Sequence, residues 1–190
     1  MTVSLIVGLG NPGAEYEDTR HNAGAWFVHQ LATLSRATLR RETKFQGFHC
    51  TATLHGHDFH LLIPNTYMNL SGQSVKAVAS FYKIPAEDIL VAHDEIDLPT
   101  GDIRLKLDGG HGGHNGLRDM IRHLGTNKFY RLRIGVGHPG DSKLVHDYVL
   151  NPPEKAEREL IETALQNADR VMPLILSGDI AKAMQELHTK

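Results

Sequence analysis

Apolar positions along the chain switch between short runs of strand character and longer stretches at helical spacing. Ser4-Leu5-Ile6-Val7-Gly8-Leu9 is a β-branched apolar run ended by glycine, which predicts a buried first strand. Ala23, Trp26, Phe27, Leu31 and Leu34 then recur every three or four positions, so residues 22–35 read as an amphipathic helix with Trp26 and Phe27 in the core. Strands at 48–54 and 59–63 flank the turn-like His55-Gly56-His57-Asp58. Val75, Val78, Ala79 and Tyr82 mark a helix over 72–83 that stops before Pro85. Ile89-Leu90-Val91-Ala92 is another buried strand, followed at once by His93-Asp94-Glu95. Arg104-Leu105-Lys106-Leu107 alternates as a half-exposed strand, and residues 130–136 alternate again. Between them Leu117, Met120, Ile121 and Leu124 form a helical stripe closed by Gly125. One long C-terminal helix carries Leu160, Ile161, Ala164, Leu165, Ala168 and Val171 beyond the Pro152-Pro153 break.

Strands that alternate with helices, with one hairpin among them, predict an α/β fold: a single three-layer domain over 1–190 with a twisted mixed β-sheet flanked by helices. No repeat, low-complexity segment or linker interrupts it. A chain of 190 residues buries roughly 70% of its unfolded surface and needs no disulfide or metal to fold. The single cysteine, Cys50, excludes an internal disulfide and a thiolate zinc cluster, and it fits a reducing compartment. The start lacks the basic and long apolar regions of a signal peptide, and no stretch approaches the roughly 18 apolar residues of a membrane span. The expectation is a cytoplasmic protein without membrane contact.

Charge changes this picture in one place. With 20 basic and 22 acidic side chains the net charge is −2, unlike a generic, strongly basic nucleic-acid binder. Residues 101–150 nevertheless carry 8 basic and 5 acidic groups, so a local basic face coexists with an acidic total. Five of the 13 histidines fall in the same block.

Four segments carry candidate chemistry. Gly8-Leu9-Gly10-Asn11-Pro12-Gly13 spells the dinucleotide fingerprint, but residues 14–20 lack the apolar periodicity of the helix that must open on it, so a long ordered loop is the better reading. In Arg20-His21-Asn22 the histidine either caps the following helix or serves as a proton acceptor. Asp94, at the end of a buried strand, is the carboxylate that would orient such a ring. Asn69 and Ser71 lie in a polar strand-to-helix turn, as an N-cap or as an amide that holds substrate. Gly109-Gly110-His111-Gly112-Gly113-His114-Asn115-Gly116 has five glycines in eight positions, a costly loop to order without a ligand. It predicts an anion-binding concavity at the next helix N-terminus, with Lys106, Arg118, Arg122, Lys128, Arg131 and Arg133 as basic neighbours. The histidines show no metal-site spacing, and neither a nucleophile elbow nor a P-loop is present. Water activated by histidine is the simplest catalytic reading.

The chain resembles the bacterial peptidyl-tRNA hydrolase family from Leu5 to the C-terminal helix. The resemblance is carried by the segments at 7–13, 19–24, 68–72, 93–99 and 109–116, in the family's order and spacing. It implies a monomeric α/β enzyme, without metal or cofactor, that cleaves the ester between a peptide and the 3′ ribose of tRNA. His21 is then the general base and Asp94 its partner. Asn11, Asn69 and Asn115 hold the ester groups and the tetrahedral oxyanion. Tyr16, Tyr67, Met68, Gly113 and His114 line the peptide groove. Lys106 and Arg133 grip the tRNA 5′-phosphate, and residues 140–151 form a mobile lid. Asp108 stands where many relatives extend the glycine run, and an acid there weakens the pull of Lys106 on phosphate. Two other classes compete: a non-catalytic RNA-binding protein on the same scaffold, which has no need of His21, and a nucleotide-dependent oxidoreductase resting on Gly8 to Gly13.

Overall fold

The protein is described here by a computed structural model covering residues 2–188; Met1, Thr189 and Lys190 of the predicted 1–190 domain lie outside the described residues. The elements are β1 (Leu5–Gly8), α1 (Ala23–Leu34), β2 (Arg40–Glu42), β3 (Gly47–Leu54), β4 (His57–Pro64), α2 (Ser71–Phe81), β5 (Ile89–Glu95), β6 (Ile103–Leu107), α3 (Asn115–Leu124), β7 (Tyr130–Gly135), α4 (Val145–Val149), α5 (Lys155–Ser177) and α6 (Ile180–His188). One seven-stranded sheet runs in the order β2-β3-β4-β1-β5-β7-β6. The central four strands are parallel, β3 and β6 flank them antiparallel, and β2 pairs antiparallel with β3 at the outer edge.

Strand alternation divides the core into two layers. Ile6, Leu61, Leu90, Ala92 and Leu132 face α1, α5 and α6, whereas Leu5, Val7, Leu62, Ile89 and Val91 face α2 and α3. Strands buried on both faces read as continuous apolar runs, which is why β1 and β5 were visible in the sequence. β5 extends three residues beyond the apolar run, because His93, Asp94 and Glu95 keep pairing with Arg133, Ile134 and Gly135 of β7. The β3–β4 turn is two residues, His55 and Gly56, both at positive φ, rather than four. Gly178, at φ +89°, ends α5, so the predicted single C-terminal helix is two, and His188 of α6 accepts the Leu105 N–H of edge strand β6. β2 and α4 are too short to leave a periodic signal. Phe27 is fully buried, but Trp26 is only half-buried, with its indole N–H on the Glu17 carbonyl and the Arg158 guanidinium 3.5 Å over its ring.

Two glycines set how closely α1 approaches the sheet. A Cβ on Gly24 would lie 2.1 Å from the Ala92 carbonyl oxygen, and one on Gly8 would lie 2.4 Å from the Gly24 carbonyl oxygen. The first turn of α1 therefore rests on backbone, with Ala25 N–H bonded to the Leu9 carbonyl at 3.2 Å. Gly24→Ala should destabilise the protein by about 3 kcal/mol, at the upper end of overpacking effects, and lower Tm by roughly 10 °C, as calorimetry would show.

Between α1 and α5, Gln30 donates to Asp169, whose other oxygen is buried without a partner. Burial pushes the Asp169 carboxyl up to about 6. Because this acid binds its proton more tightly folded than unfolded, it opposes folding above pH 6 and ceases to do so below about pH 4. Asp169→Asn keeps the side-chain shape and should raise stability at pH 7 by on the order of 1 kcal/mol after solvent screening. Below pH 4 the two proteins should melt together.

Candidate active site

The polypeptide leaves β1 toward α1 on one face of the sheet and leaves the adjacent β4 toward α2 on the other, so a crevice opens at their carboxyl ends. A cavity of about 750 Å³ lies there. Asn11, His21, Asn69, Asp94 and Asn115 all line it, as do Tyr16, Tyr67, Met68, Gly113 and His114. Five segments spread over about a hundred residues thus meet in one place.

Asp94 is its electrostatic centre. The carboxylate is buried, at 4% exposure, and takes two imidazole N–H groups: His21 Nδ1 at 3.0 Å from each oxygen, and His114 Nε2 at 2.8 Å from Oδ1. Burial alone would raise its pKa, but the two rings outweigh burial and hold Asp94 well below the usual carboxylate range. For His21 burial opposes protonation, yet attraction to Asp94 and the hydrogen bond between them leave its pKa above the ordinary histidine value. An ionised carboxylate only accepts, so Nδ1 of His21 carries the hydrogen and Nε2 keeps the lone pair, without a partner among the described residues.

The 3-10 turn Arg20–Asn22 that presents His21 also fixes Asn11. Asn22 makes no helix cap; its amide clamps the Asn11 backbone, accepting from N–H at 2.9 Å and donating to C=O at 3.0 Å. Asn11 Oδ1 accepts the Met68 N–H at 2.7 Å, and Asn115 Oδ1 accepts from Arg118 at 3.0 Å. With both oxygens engaged, the amide NH₂ groups of Asn11 and Asn115 remain as donors. Asn69 and Ser71 do not cap α2 through their side chains: the N-cap is Leu70, and Ser71 Oγ donates back to the Met68 carbonyl.

The glycine-rich loop corrects one expectation. Its following helix, α3, offers no free anion site in its first turn, because His114 Nδ1 already accepts the Gly116 and Leu117 N–H groups at 3.1 and 3.3 Å. Gly113, at φ +84° with open space where a Cβ would stand, instead brings bare backbone to the cavity. Arg131 is not a free cation either. It is 3% exposed and donates to the Gly109 and Gly110 carbonyls, holding the loop from beneath. Arg133 pairs with Glu95 at 2.9 Å, while Lys106 on the edge strand is exposed and has no ion pair among the described residues. Neither lines the cavity. Asp108 sits at φ +70°, a backbone conformation that favours glycine, and its carboxylate accepts the Gly109 N–H at 2.7 Å.

Other lining residues escaped the sequence reading. His93 is buried with its Nδ1–H on the Asp94 carbonyl and Nε2 unpartnered; burial, then its neighbour His114, pushes its pKa down to about 4. The period of two along β5 places His93 and Glu95 on the face opposite Asp94, a signal available once the strand is known to continue. Ser142, Val145, His146, Val149 and Leu150, all within the 140–151 segment expected as a lid, form the far wall. Arg20 ties that wall to the His21 turn, donating to the Tyr148 and Asn151 carbonyls at 2.9 and 3.2 Å and pairing with Glu157 at 3.3 Å.

His21, Asp94 and His114 also form the only group among the described residues whose ligand atoms gather within 4.8 Å. Their 2.8–3.0 Å separations are hydrogen-bond distances, shorter than the roughly 3.3 Å between ligands placed 2.0–2.1 Å from a tetrahedral ion. Cys50, half-buried in β3, has its thiol pKa raised by burial and lies outside the cavity.

The comparisons with known proteins agree with one another. The peptidyl-tRNA hydrolase family model matches residues 5–190. A peptidyl-tRNA hydrolase of Sodalis glossinidius is 57% identical over 189 residues, 99% of this chain and 97% of the relative. One of Pseudomonas entomophila is 57% identical over 187 residues, 98% and 96% of the two chains. The crystal structure of peptidyl-tRNA hydrolase from Acinetobacter baumannii is similar with a TM-score of 0.96 at 50% identity, covering 98% of this chain and 95% of that one. By fold, by the residues gathered at its cavity and by these likenesses, the chain belongs to the peptidyl-tRNA hydrolase family.

Proposed function

We propose that this protein hydrolyses the ester joining a peptide to the 3′ ribose of tRNA, with water as nucleophile and His21 as general base. The carrying observation is the buried Asp94, which fixes His21 Nδ1–H and leaves Nε2 as the acceptor on the cavity side. Nε2 removes a proton as water attacks the ester carbonyl carbon. Charge gathers on the carbonyl oxygen, where the amides of Asn11, Asn69 and Asn115 supply donors. The tetrahedral intermediate collapses, the imidazolium returns the proton to the ribose oxygen, and peptide carboxylate and tRNA leave. An activated ester needs only this positioned water, one base and the donors. Tyr16, Tyr67, Met68, Gly113 and His114 wall the peptide groove, and Lys106 and Arg133 receive the 5′-phosphate. For Arg133 that requires exchange of Glu95 for phosphate. The protein acts as one catalytic domain, a monomer, in the cytoplasm. The binding-only reading gains no support, since the relatives compared are named as hydrolases, and among the described residues no helix is long and apolar enough to cross a membrane.

Purified protein should release peptide from N-blocked aminoacyl-tRNA with no metal added. His21→Ala should lower kcat by about 10²–10⁴-fold and also lower the melting temperature, because it strips one donor from the buried Asp94 carboxylate. Because the base works unprotonated, kcat/KM should fall as pH drops through the His21 pKa, which the Asp94 carboxylate holds above the ordinary histidine value despite burial. Full activity in His21→Ala would overturn the mechanism.

Lys106→Ala should weaken tRNA binding uniformly across peptides and reduce the slope of log affinity against log salt by about 1. Fluorescence titration at several ionic strengths measures it.

A further inference from the structure

His114 occupies a more constrained position than a groove wall requires. Its Nδ1 receives two backbone N–H groups from the first turn of α3, so that nitrogen must hold the lone pair and Nε2 must carry the hydrogen. Protonation of Nδ1 would set a third N–H against those two donors. The α3 N-terminus therefore locks His114 as a neutral ring with its single N–H aimed at Asp94 Oδ1, 2.8 Å away. The His21 and His114 rings lie with centroids 5.0 Å apart, and the same carboxylate serves both.

We propose that His114 is a positioning residue that tempers Asp94: by occupying one oxygen of the carboxylate, it limits the pull of Asp94 on His21 and keeps the His21 Nε2 lone pair available at neutral pH. This deepens the reading of His21 as the base and rests on it. A buried carboxylate with a single imidazole partner directs its whole charge at that partner and favours the imidazolium. A second donor on the same carboxylate spreads that charge, and a neutral donor does so without adding a competing cation. The surroundings leave His114 as the one group placed for this. His93 approaches His114 edge-on at 5.2 Å and has its own N–H on a backbone carbonyl. Arg20, adjacent to His21, faces away toward Asn151, Tyr148 and Glu157. Tyr16, Tyr67, Glu95, His111, His138 and His146 line the cavity, and among the described residues none of them bonds to His21 or to the Asp94 carboxylate.

Two substitutions separate the cap from the donor. His114→Asn retains a good capping oxygen but is too short to reach Asp94. His114→Gln retains an N–H at comparable reach and gives up the cap. Titration of the His21 ring by ¹⁵N NMR should show its pKa raised by about 0.5–1 unit in His114→Asn, and the acid limb of kcat/KM should move to higher pH with it. In His114→Gln the titration should match the parent while the melting temperature falls. An unmoved His21 titration in a folded His114→Asn protein overturns the proposal, and so does an equal shift in both variants. Should His114→Asn fail to fold, His114→Ser, also a cap and also too short, gives the same reading. The NMR titration reports on His21 whether or not it is the base. A shifted titration with an unshifted acid limb would uphold the action of His114 on Asp94 while overturning the assignment of His21.

Discussion

The structure turns on one buried carboxylate. Asp94 lies at the end of a strand enclosed on both faces, and a charge so placed persists only when hydrogen-bond donors surround it. Those donors come from the start of α1 and the start of α3, on opposite sides of the sheet. The requirement to neutralise Asp94 therefore fixes both helix entries relative to β5. Removing one partner from such a pair costs about 3–5 kcal/mol, because the charge left behind stays buried. The tight contact of Gly24 with the Ala92 carbonyl serves the same end: a helix held further out would carry His21 out of reach.

From this follows an ordered set of tautomers. Asp94 determines which nitrogen of His21 is free, and the α3 backbone determines which nitrogen of His114 is not. Burial keeps His93 neutral, so it adds no second cation beside His21. The asparagines follow the same logic. Met68 N–H and Arg118 occupy the oxygens of Asn11 and Asn115, and the amide ends that remain are donors, the polarity an oxyanion needs.

Much of this was legible in the sequence, for stateable reasons. β1, β5 and the amphipathic stripes of α1 and α3 announce themselves because one chemical pattern runs across each whole element. The segments meeting at the cavity were visible as motifs too polar and too rich in glycine for ordinary loops. Their convergence was not visible, since sheet order decides it and local pattern does not encode sheet order. The roles of Arg131 and Asn22 were hidden for a related reason: a guanidinium that binds carbonyls beneath a loop has the same sequence signature as one that awaits phosphate. α6 was missed because Gly178 interrupts a hydrophobic pattern that otherwise continues.

The fate of the arginines also bears on how a protein of net charge −2 handles a polyanion. Of the basic groups near the glycine-rich loop, Arg131 is internal, Arg133 is paired with Glu95 and Arg118 is engaged with Asn115. Three of the eight basic groups of the 101–150 block thus hold loop and site in shape, and Lys106 is among the cations left outward. Each phosphate neutralised by a free cation contributes to a steep salt dependence and a long residence time. The cavity itself presents a different chemistry, bare backbone at Gly113 and the free amide ends of Asn11 and Asn115.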